Sequence, residues 1–221
     1  MCYNETTSLI TFTISFICFI YLITRKNTFD IYSGWLTISI GLMQLVEFFL
    51  WRNQECNEIN RIVSLCIIIV LYLECVVCSL FNYLNTKLKM ISICSIFIFT
   101  IFIIYLLNWL YNLPVLCSQP SKESCRLVWS PFEQLINTSM YSKVLFVIFL
   151  LFYFFYAILS SYILIKLYFN KYPIRVLILP VTFIITLIYT FLVEGKNYID
   201  IFGSMWCFLA IAYGIVSCLH I

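Results

Sequence analysis

Long apolar runs separated by short polar segments dominate the chain. Seven runs are long enough to form helices that cross the hydrocarbon core of a bilayer, which takes about 20 apolar residues. They are Ser8–Thr24, Tyr32–Trp51, Ile62–Tyr83, Leu88–Tyr111, Val144–Leu167, Ile174–Val193 and Ile199–Leu219. The pattern predicts an all-α membrane protein, a bundle of seven transmembrane helices, in a single polytopic domain over residues 1–221.

Composition supports this interpretation and excludes several classes of protein. Of the 221 residues, 63% are hydrophobic and 10% are charged, whereas soluble domains are about 25% charged. The net charge of +3 is spread over short connections, without the basic stripe that binds nucleic acid. The expected partner is therefore the lipid bilayer, and nucleic-acid binding is not expected.

The first run is interpreted as a retained helix. No cationic segment precedes it and no small-residue cleavage site follows it, so it does not have the pattern of a signal peptide. Basic residues in short loops favour the cytoplasmic side, but with an outer N-terminus they divide only seven to six between inner and outer connections. Charge alone therefore orients the chain weakly.

Two other features favour an outer N-terminus and a cytosolic C-terminus. Both N-x-S/T sequons, at Asn4 and Asn137, fall on the predicted outer side, where glycosylation occurs. The cysteines outside the apolar runs fall there too, where disulfides persist. These cysteines are Cys2, Cys56, Cys117 and Cys125.

The segment 112–142 is the one long connection, and we expect it to form an extramembrane cap. It contains Cys117, Cys125 and the sequon at Asn137, which is predicted to be the one used because Asn4 lies close to the first run. Four cysteines allow three pairings. Cys117 with Cys125 closes the shortest loop, whereas pairing Cys2 or Cys56 with the cap restrains more chain. At least one bridge is expected to involve the cap.

Glu47 is the first ionisable residue inside a run, and such residues are functional candidates. Spacings of three, four and seven place Gln44, Glu47 and Trp51 on one helical face. Further polar or aromatic side chains are expected at a similar depth, from Asn108, Trp206 and Cys207. Gln44, Glu47 and Trp206 are predicted to lie within mutual reach. They would either line a polar pocket that opens outward or hydrogen-bond neighbouring helices.

Glu74 lies near the centre of the third run, beside Cys75 and Cys78. It would serve either as a proton-carrying or ion-binding carboxylate, or as a neutral acid bonded to a neighbouring helix. The C-x-x-C spacing is typical of redox or metal sites, but without a second pair or nearby histidines core filling is favoured.

Absent motifs argue against catalysis. The single histidine, His220, cannot build a metal site of several histidines. The sequence contains no G-x-S-x-G, H-E-x-x-H, G-x-x-x-x-G-K-[ST] or G-x-G-x-x-G motif. We expect no enzymatic activity, no cofactor and no metal.

Three short motifs resemble a family of uncharacterised, mostly bacterial, multi-pass membrane proteins. They are the opening Met1-Cys2-Tyr3-Asn4, the pattern Gly41-x-x-Gln44-x-x-Glu47-x-x-x-Trp51, and Ser204-x-Trp206-Cys207-Phe208-x-Ala210. Phe48 stands where that family has glycine. The resemblance implies a membrane fold and draws attention to these residues without implying a ligand. The composition is also similar to that of uncharacterised membrane proteins of giant DNA viruses of the mimivirus group.

Two functions fit the sequence best, and a third, a membrane-embedded redox enzyme that uses Cys75 and Cys78, is disfavoured because these cysteines lack partners. The first is binding or transport of a small solute or lipid through an outer polar pocket. The second is a structural or host-interaction role in a cellular or viral membrane. The sequence indicates neither the ligand nor the oligomeric state.

Overall fold

A computed structural model describes residues 4–86, 89–120, 127–194 and 198–219, and this part of the chain is almost entirely helical. The elements are α1 (Glu5–Thr24), α2 (Thr28–Arg52), α3 (Glu58–Asn85), α4 (Lys89–Tyr111), β1 (Gln119–Pro120), β2 (Leu127–Val128), α5 (Ser130–Asn137), α6 (Met140–Tyr168), α7 (Pro173–Glu194), α8 (Tyr198–Ala210) and α9 (Ala212–Cys218). Among the described residues, six helices are long and apolar enough to cross a membrane: α1 to α4, α6 and α7. The all-α prediction is confirmed.

Polar caps explain why several helices begin before their apolar runs do. Asn4, Asn27 and Asn57 accept backbone N–H groups at the starts of α1, α2 and α3. Ser139 and Ser142 form a reciprocal capping box at the start of α6. Each cap satisfies donors that have no partner within the helix.

The seventh apolar run forms two helical pieces. α8 and α9 are separated at Ile211, whose carbonyl accepts from both Gly214 N (3.0 Å) and Ile215 N (3.4 Å). The region is apolar, but neither piece alone has the length of a transmembrane helix.

α2 lies at the centre of the packing and contacts α1, α3, α8 and α9. Gly41 allows α1 and α2 to approach closely, because a Cβ there would lie 2.5 Å from the Cβ of Ser15. Small residues at helix contacts are the usual way for membrane helices to pack closely.

The two ends of the bundle differ in structure. The capped end carries residues 112–120 and 127–139, which include β1, its antiparallel partner β2 and α5. There a disulfide joins Cys56, between α2 and α3, to Cys117 of the cap. The basal end is the opposite end, where α1 meets α2 and α6 meets α7. Cys2 and Cys125 lie outside the described residues.

Large apolar side chains cover the outer surface of the bundle, for example Ile17, Leu80, Ile104, Leu151 and Leu192. A surface of this kind on six long apolar helices indicates an integral membrane protein.

Candidate functional site

Gln44 and Glu47 form a buried hydrogen-bonded cluster with the cap. Gln44 Nε2 donates to Glu47 Oε2 (3.3 Å), and Trp129 Nε1 donates to Glu47 Oε1 (3.2 Å). Thr11 Oγ1 of α1 donates to Gln44 Oε1 (3.0 Å). Glu47 is 1% exposed and Gln44 is fully buried. The shared helical face predicted for the pair therefore contacts α1 and the cap.

Trp129 anchors the cap in the bundle. Its side chain is 2% exposed and lies against Gly203 of α8, where a Cβ would come within 2.4 Å of Trp129 Cζ3. The indole occupies the space beside α8 that a larger residue at 203 would fill. Trp129 thereby connects α8 with Glu47 of α2.

A second network holds the cap on α3. Asn60 Oδ1 accepts from Ser118 N (2.9 Å), and Asn60 Nδ2 donates to Ser118 O (3.0 Å). Ser64 Oγ donates to Ser118 Oγ (2.8 Å). All three residues are fully buried, and the Cys56–Cys117 disulfide lies directly beside them in the chain. The cap is thus a fixed part of the bundle.

Other candidates from the sequence lie on α8 and α4. Trp206 packs edge-on against Tyr153 of α6 (ring centroids 6.2 Å apart) and Phe183 of α7 (5.5 Å). Cys207 is 1% exposed. Asn108 is exposed on α4, where its backbone carbonyl accepts from Asn112 Nδ2 (2.7 Å).

Trp51 is half-buried near the capped end. It packs against the hydrophobic core, and within the described ranges its Nε1 is buried without a hydrogen-bond acceptor. The structure therefore brings Gln44 and Glu47 together. From the cap, Trp129 contacts Glu47.

Glu74 lies between helices, as its position in the third run suggested. Tyr153 donates its hydroxyl to Glu74 Oε2 (2.7 Å). Glu74 is 5% exposed, and among the described residues its Oε1 has no hydrogen-bond partner. Glu74 and Tyr153 thus form a hydrogen-bonded polar pair in the interior of the bundle.

Glu74 and Tyr153 line a cavity of about 480 Å³ between α6 and α7. Ligand pockets in proteins occupy roughly 300–1,000 Å³, so this volume is sufficient for a small molecule or part of a lipid. The wall is mainly apolar. Apart from the thiols of Cys75 and Cys78, the lining residues that carry polar side-chain groups are Tyr32, Glu74, Tyr153, Tyr156, Ser160, Ser161, Tyr162, Arg175, Trp206 and Tyr213.

The cavity opens sideways, toward the surroundings of the bundle. Ile158, Tyr162 and Ile165 of α6 line it and are also exposed on the outer surface, Ile158 at 68%. On α7 the wall includes Val176 and Pro180. Because proline has no N–H, the Val176 carbonyl lacks its usual donor in the helix.

Cys75 and Cys78 contribute to the cavity wall as free thiols. Tyr32 OH lies 3.7 Å from Cys78 Sγ. In the part of the chain that the structure describes, no group of three or more His, Cys, Asp or Glu residues could hold a metal ion.

A buried charged cluster closes the basal end of the cavity. Arg175 Nη2 donates to Asp30 Oδ1 (2.7 Å) and to Ser33 Oγ (3.2 Å). Arg25 Nε lies 3.2 Å from Asp30 Oδ2. Ser33 Oγ is also 2.8 Å from Tyr213 OH of α9. These contacts hold the start of α7 against α2 and α9.

Comparison with known proteins finds no matching family model, curated protein or solved structure. The site is therefore interpreted from its own residues.

Sequence reasoning missed Trp129, Tyr153 and Arg175 as site residues. Arg175 is one of the seven bases that the sequence places in the inner connections, although it lies at the start of an apolar run. Asp30 is the single acid in those connections, and it could have indicated Arg175, since a buried acid needs a basic partner. The pattern of the chain gives no comparable signal for Trp129, whose position depends on the path of the cap.

Proposed function

We propose that this protein binds a lipid or other amphiphile in the cavity between α6 and α7. The cavity itself carries the proposal, with its volume of about 480 Å³ and its apolar wall. Its few polar groups, among them Glu74 and Arg175, favour a ligand that has both an apolar part and a polar part. Gln44 and Glu47 do not line this cavity, so its ligand would be bound apart from them.

The position of the opening supports entry from the bilayer. The mouth is formed by Ala157, Ile158 and Tyr162, which are exposed on the outward face of α6. In a membrane this face contacts lipid, so a ligand can enter without passing through water.

The proposal includes a seven-span topology with an outer N-terminus and a cytosolic C-terminus. Residues 198–218 together extend about 31 Å at about 1.5 Å per residue, close to the roughly 30 Å of a hydrocarbon core. α8 and α9 would then form one interrupted seventh span. Cysteines introduced at Lys26 and Lys171 should both be labelled from the cytosolic side. Labelling from opposite sides would refute the topology.

The second candidate is a structural or host-interaction protein whose cap is the working surface. The attachment of the cap favours it, because Trp129, Ser118 and the Cys56–Cys117 disulfide hold the cap rigidly. Membership of the uncharacterised family that the short motifs resemble stays a prediction under either function.

A substitution at the mouth of the cavity tests the binding proposal. Ala157→Trp should fill the mouth from the lipid side and leave the core contacts intact. Leu151→Trp is the matched control, because Leu151 is exposed on the same helix and does not line the cavity. We expect a photoactivatable phospholipid to label peptides of α6 and α7 in the wild type and the control, and to label Ala157→Trp at least about fivefold less. Equal labelling of all three proteins would contradict the proposal.

A further inference from the structure

Arg175 lies at the basal end of the cavity wall with part of its hydrogen-bonding capacity unused. Its side chain is fully buried, and the guanidinium carries five N–H groups. Nη2 contacts Asp30 and Ser33. Within residues 4–86, 89–120, 127–194 and 198–219, Nε and Nη1 are buried without an acceptor. Buried donors without acceptors are destabilising. An acceptor from a bound ligand that contacts Nε or Nη1 would therefore be stabilising.

Aromatic rings fix the guanidinium in place. Its Cζ lies 4.3 Å from the ring centroid of Phe29 and 5.0 Å from that of Tyr172. Ring contacts of this kind stabilise a cation through the faces of the rings. They supply no acceptor in the plane of the guanidinium, where its N–H groups point. Arg175 is therefore held in place while its buried Nε and Nη1 have no acceptor among the described residues.

The charge of the cluster also favours an anion. The Asp30 carboxylate is shared by Arg25 and Arg175, so these three side chains together carry an excess of one positive charge. Arg25 has contacts of its own, including a hydrogen bond from Nη1 to the Ser217 carbonyl (3.2 Å). Arg175 lies in the first turn of α7, where the helix dipole adds partial positive charge.

Arg175 lies at the start of the apolar run of α7. With α7 spanning a bilayer, this position corresponds to the headgroup level, next to the hydrocarbon core. From Ile165 to Tyr153 the wall of the cavity follows α6 for about 18 Å at about 1.5 Å per residue. Half of a hydrocarbon core is about 15 Å. The cavity thus has the length of one acyl chain in one leaflet.

We propose that the ligand of this cavity is an anionic lipid, with a phosphate or carboxylate headgroup against Arg175 and an acyl chain along α6 toward Glu74. Basic pockets between transmembrane helices are a known way of holding such headgroups. The proposal rests on the proposed function, since it names the chemical class of the ligand in the same cavity. It adds that the headgroup, and not the chain alone, determines binding.

Matched lipids test the role of the headgroup on the unmodified protein. Dioleoyl phosphatidic acid and dioleoylglycerol share their chains and differ in the phosphate. Binding would be measured by native mass spectrometry of the purified protein in a neutral detergent. We expect phosphatidic acid to bind at least about tenfold more tightly, the effect of one charge-assisted hydrogen bond. Oleate should compete with phosphatidic acid, whereas inorganic phosphate should not, because it lacks a chain.

Two variants assign the effect to Arg175. Arg175→Gln should reduce the preference for phosphatidic acid to below about twofold. Lys166→Gln removes one positive charge from the exposed surface of α6 near the same end, and it should leave the preference unchanged. If Arg175→Gln does not fold, Arg175→Lys keeps the charge but loses the planar fork of N–H groups, and the preference should fall with folding retained.

The outcomes separate this inference from the proposed function. If both lipids bind equally and Ala157→Trp weakens both, the cavity binds lipid and the anionic headgroup proposal is wrong. If neither lipid shows binding that depends on Ala157, the proposed function itself is wrong. If Arg175→Gln and Lys166→Gln weaken phosphatidic acid to the same extent, surface charge explains the preference and the role of Arg175 is refuted.

Discussion

Replacing Glu47 tests whether its cluster holds the cap on the bundle. In Glu47→Leu, Trp129 Nε1 and Gln44 Nε2 both lose their acceptor in a buried environment. An unsatisfied buried donor costs about 1–3 kcal/mol, and interhelical hydrogen bonds in membranes average about 0.6 kcal/mol. For two donors we expect a loss of about 1–6 kcal/mol, the lower end from the membrane average and the upper end from the penalty for buried donors.

Glu47→Gln should be far less harmful, because its carbonyl oxygen can still accept from Trp129. Its new amide group would face Gln44 Nε2, but the Gln44 amide can rotate so that its oxygen accepts and its nitrogen donates to Thr11. Thr11 Oγ1 can then donate to the Thr7 carbonyl, which is 2.8 Å away. Each amide nitrogen and the Thr11 hydroxyl of the network then again has an acceptor.

Thermal unfolding in detergent, followed by size-exclusion chromatography, provides the assay. We expect Glu47→Leu to unfold several degrees below the wild type and Glu47→Gln to remain close to it. Phe49→Leu is the control, because Phe49 is exposed on the same helix. Equal stability of the Gln and Leu variants would refute the assigned hydrogen bonds.

Three further substitutions test other parts of the structure. Replacing Cys56 and Cys117 together by Ser should destabilise the protein by up to about 4 kcal/mol, because the bridge has a sequence separation of 61. The measurement is the difference in unfolding free energy between variant and wild type under non-reducing conditions. Tyr153→Phe should cost about 1–3 kcal/mol, because Glu74 Oε2 loses its donor, seen as a lower unfolding temperature. In a glycosylating host, Asn137→Gln should abolish the shift in gel mobility, because Asn137 is exposed at the end of α5.

Matched controls accompany these three substitutions. Cys94→Ser removes an exposed free thiol and should leave stability unchanged. Tyr162→Phe removes an exposed hydroxyl from α6 and should also have no effect. Asn4→Gln should keep the mobility shift, since the Asn4 side chain is engaged in capping α1. A shift lost in Asn4→Gln but kept in Asn137→Gln would contradict the assignment.

The six long helices could be predicted because each follows a long apolar run. The short helix α5 and the interruption between α8 and α9 could not be predicted in this way. Most boundaries moved outward by a few residues, since polar residues at helix starts join the helix when a cap precedes them. α3 begins at Glu58 behind Asn57, four residues before the run from Ile62. The pairing of Gln44 with Glu47 was also predictable, because it depends on spacing within one helix.

The partners of these residues could not be predicted, because they come from distant parts of the chain. Trp129 reaches Glu47 across 82 residues and Tyr153 reaches Glu74 across 79. Such contacts depend on how the cap folds back and on how α6 is rotated. The spacing of apolar and polar residues within one helix indicates neither. Arg175 was assigned to a loop because the positive-inside rule counts charge without burial.

A structure of the protein in lipid nanodiscs, at a resolution that shows bound lipids, would show directly whether the cavity holds an anionic lipid. We expect elongated density between α6 and α7 that passes Ala157 and ends within hydrogen-bonding distance of Arg175 Nη1. A closed contact between α6 and α7, with the cavity filled by protein side chains, would contradict it.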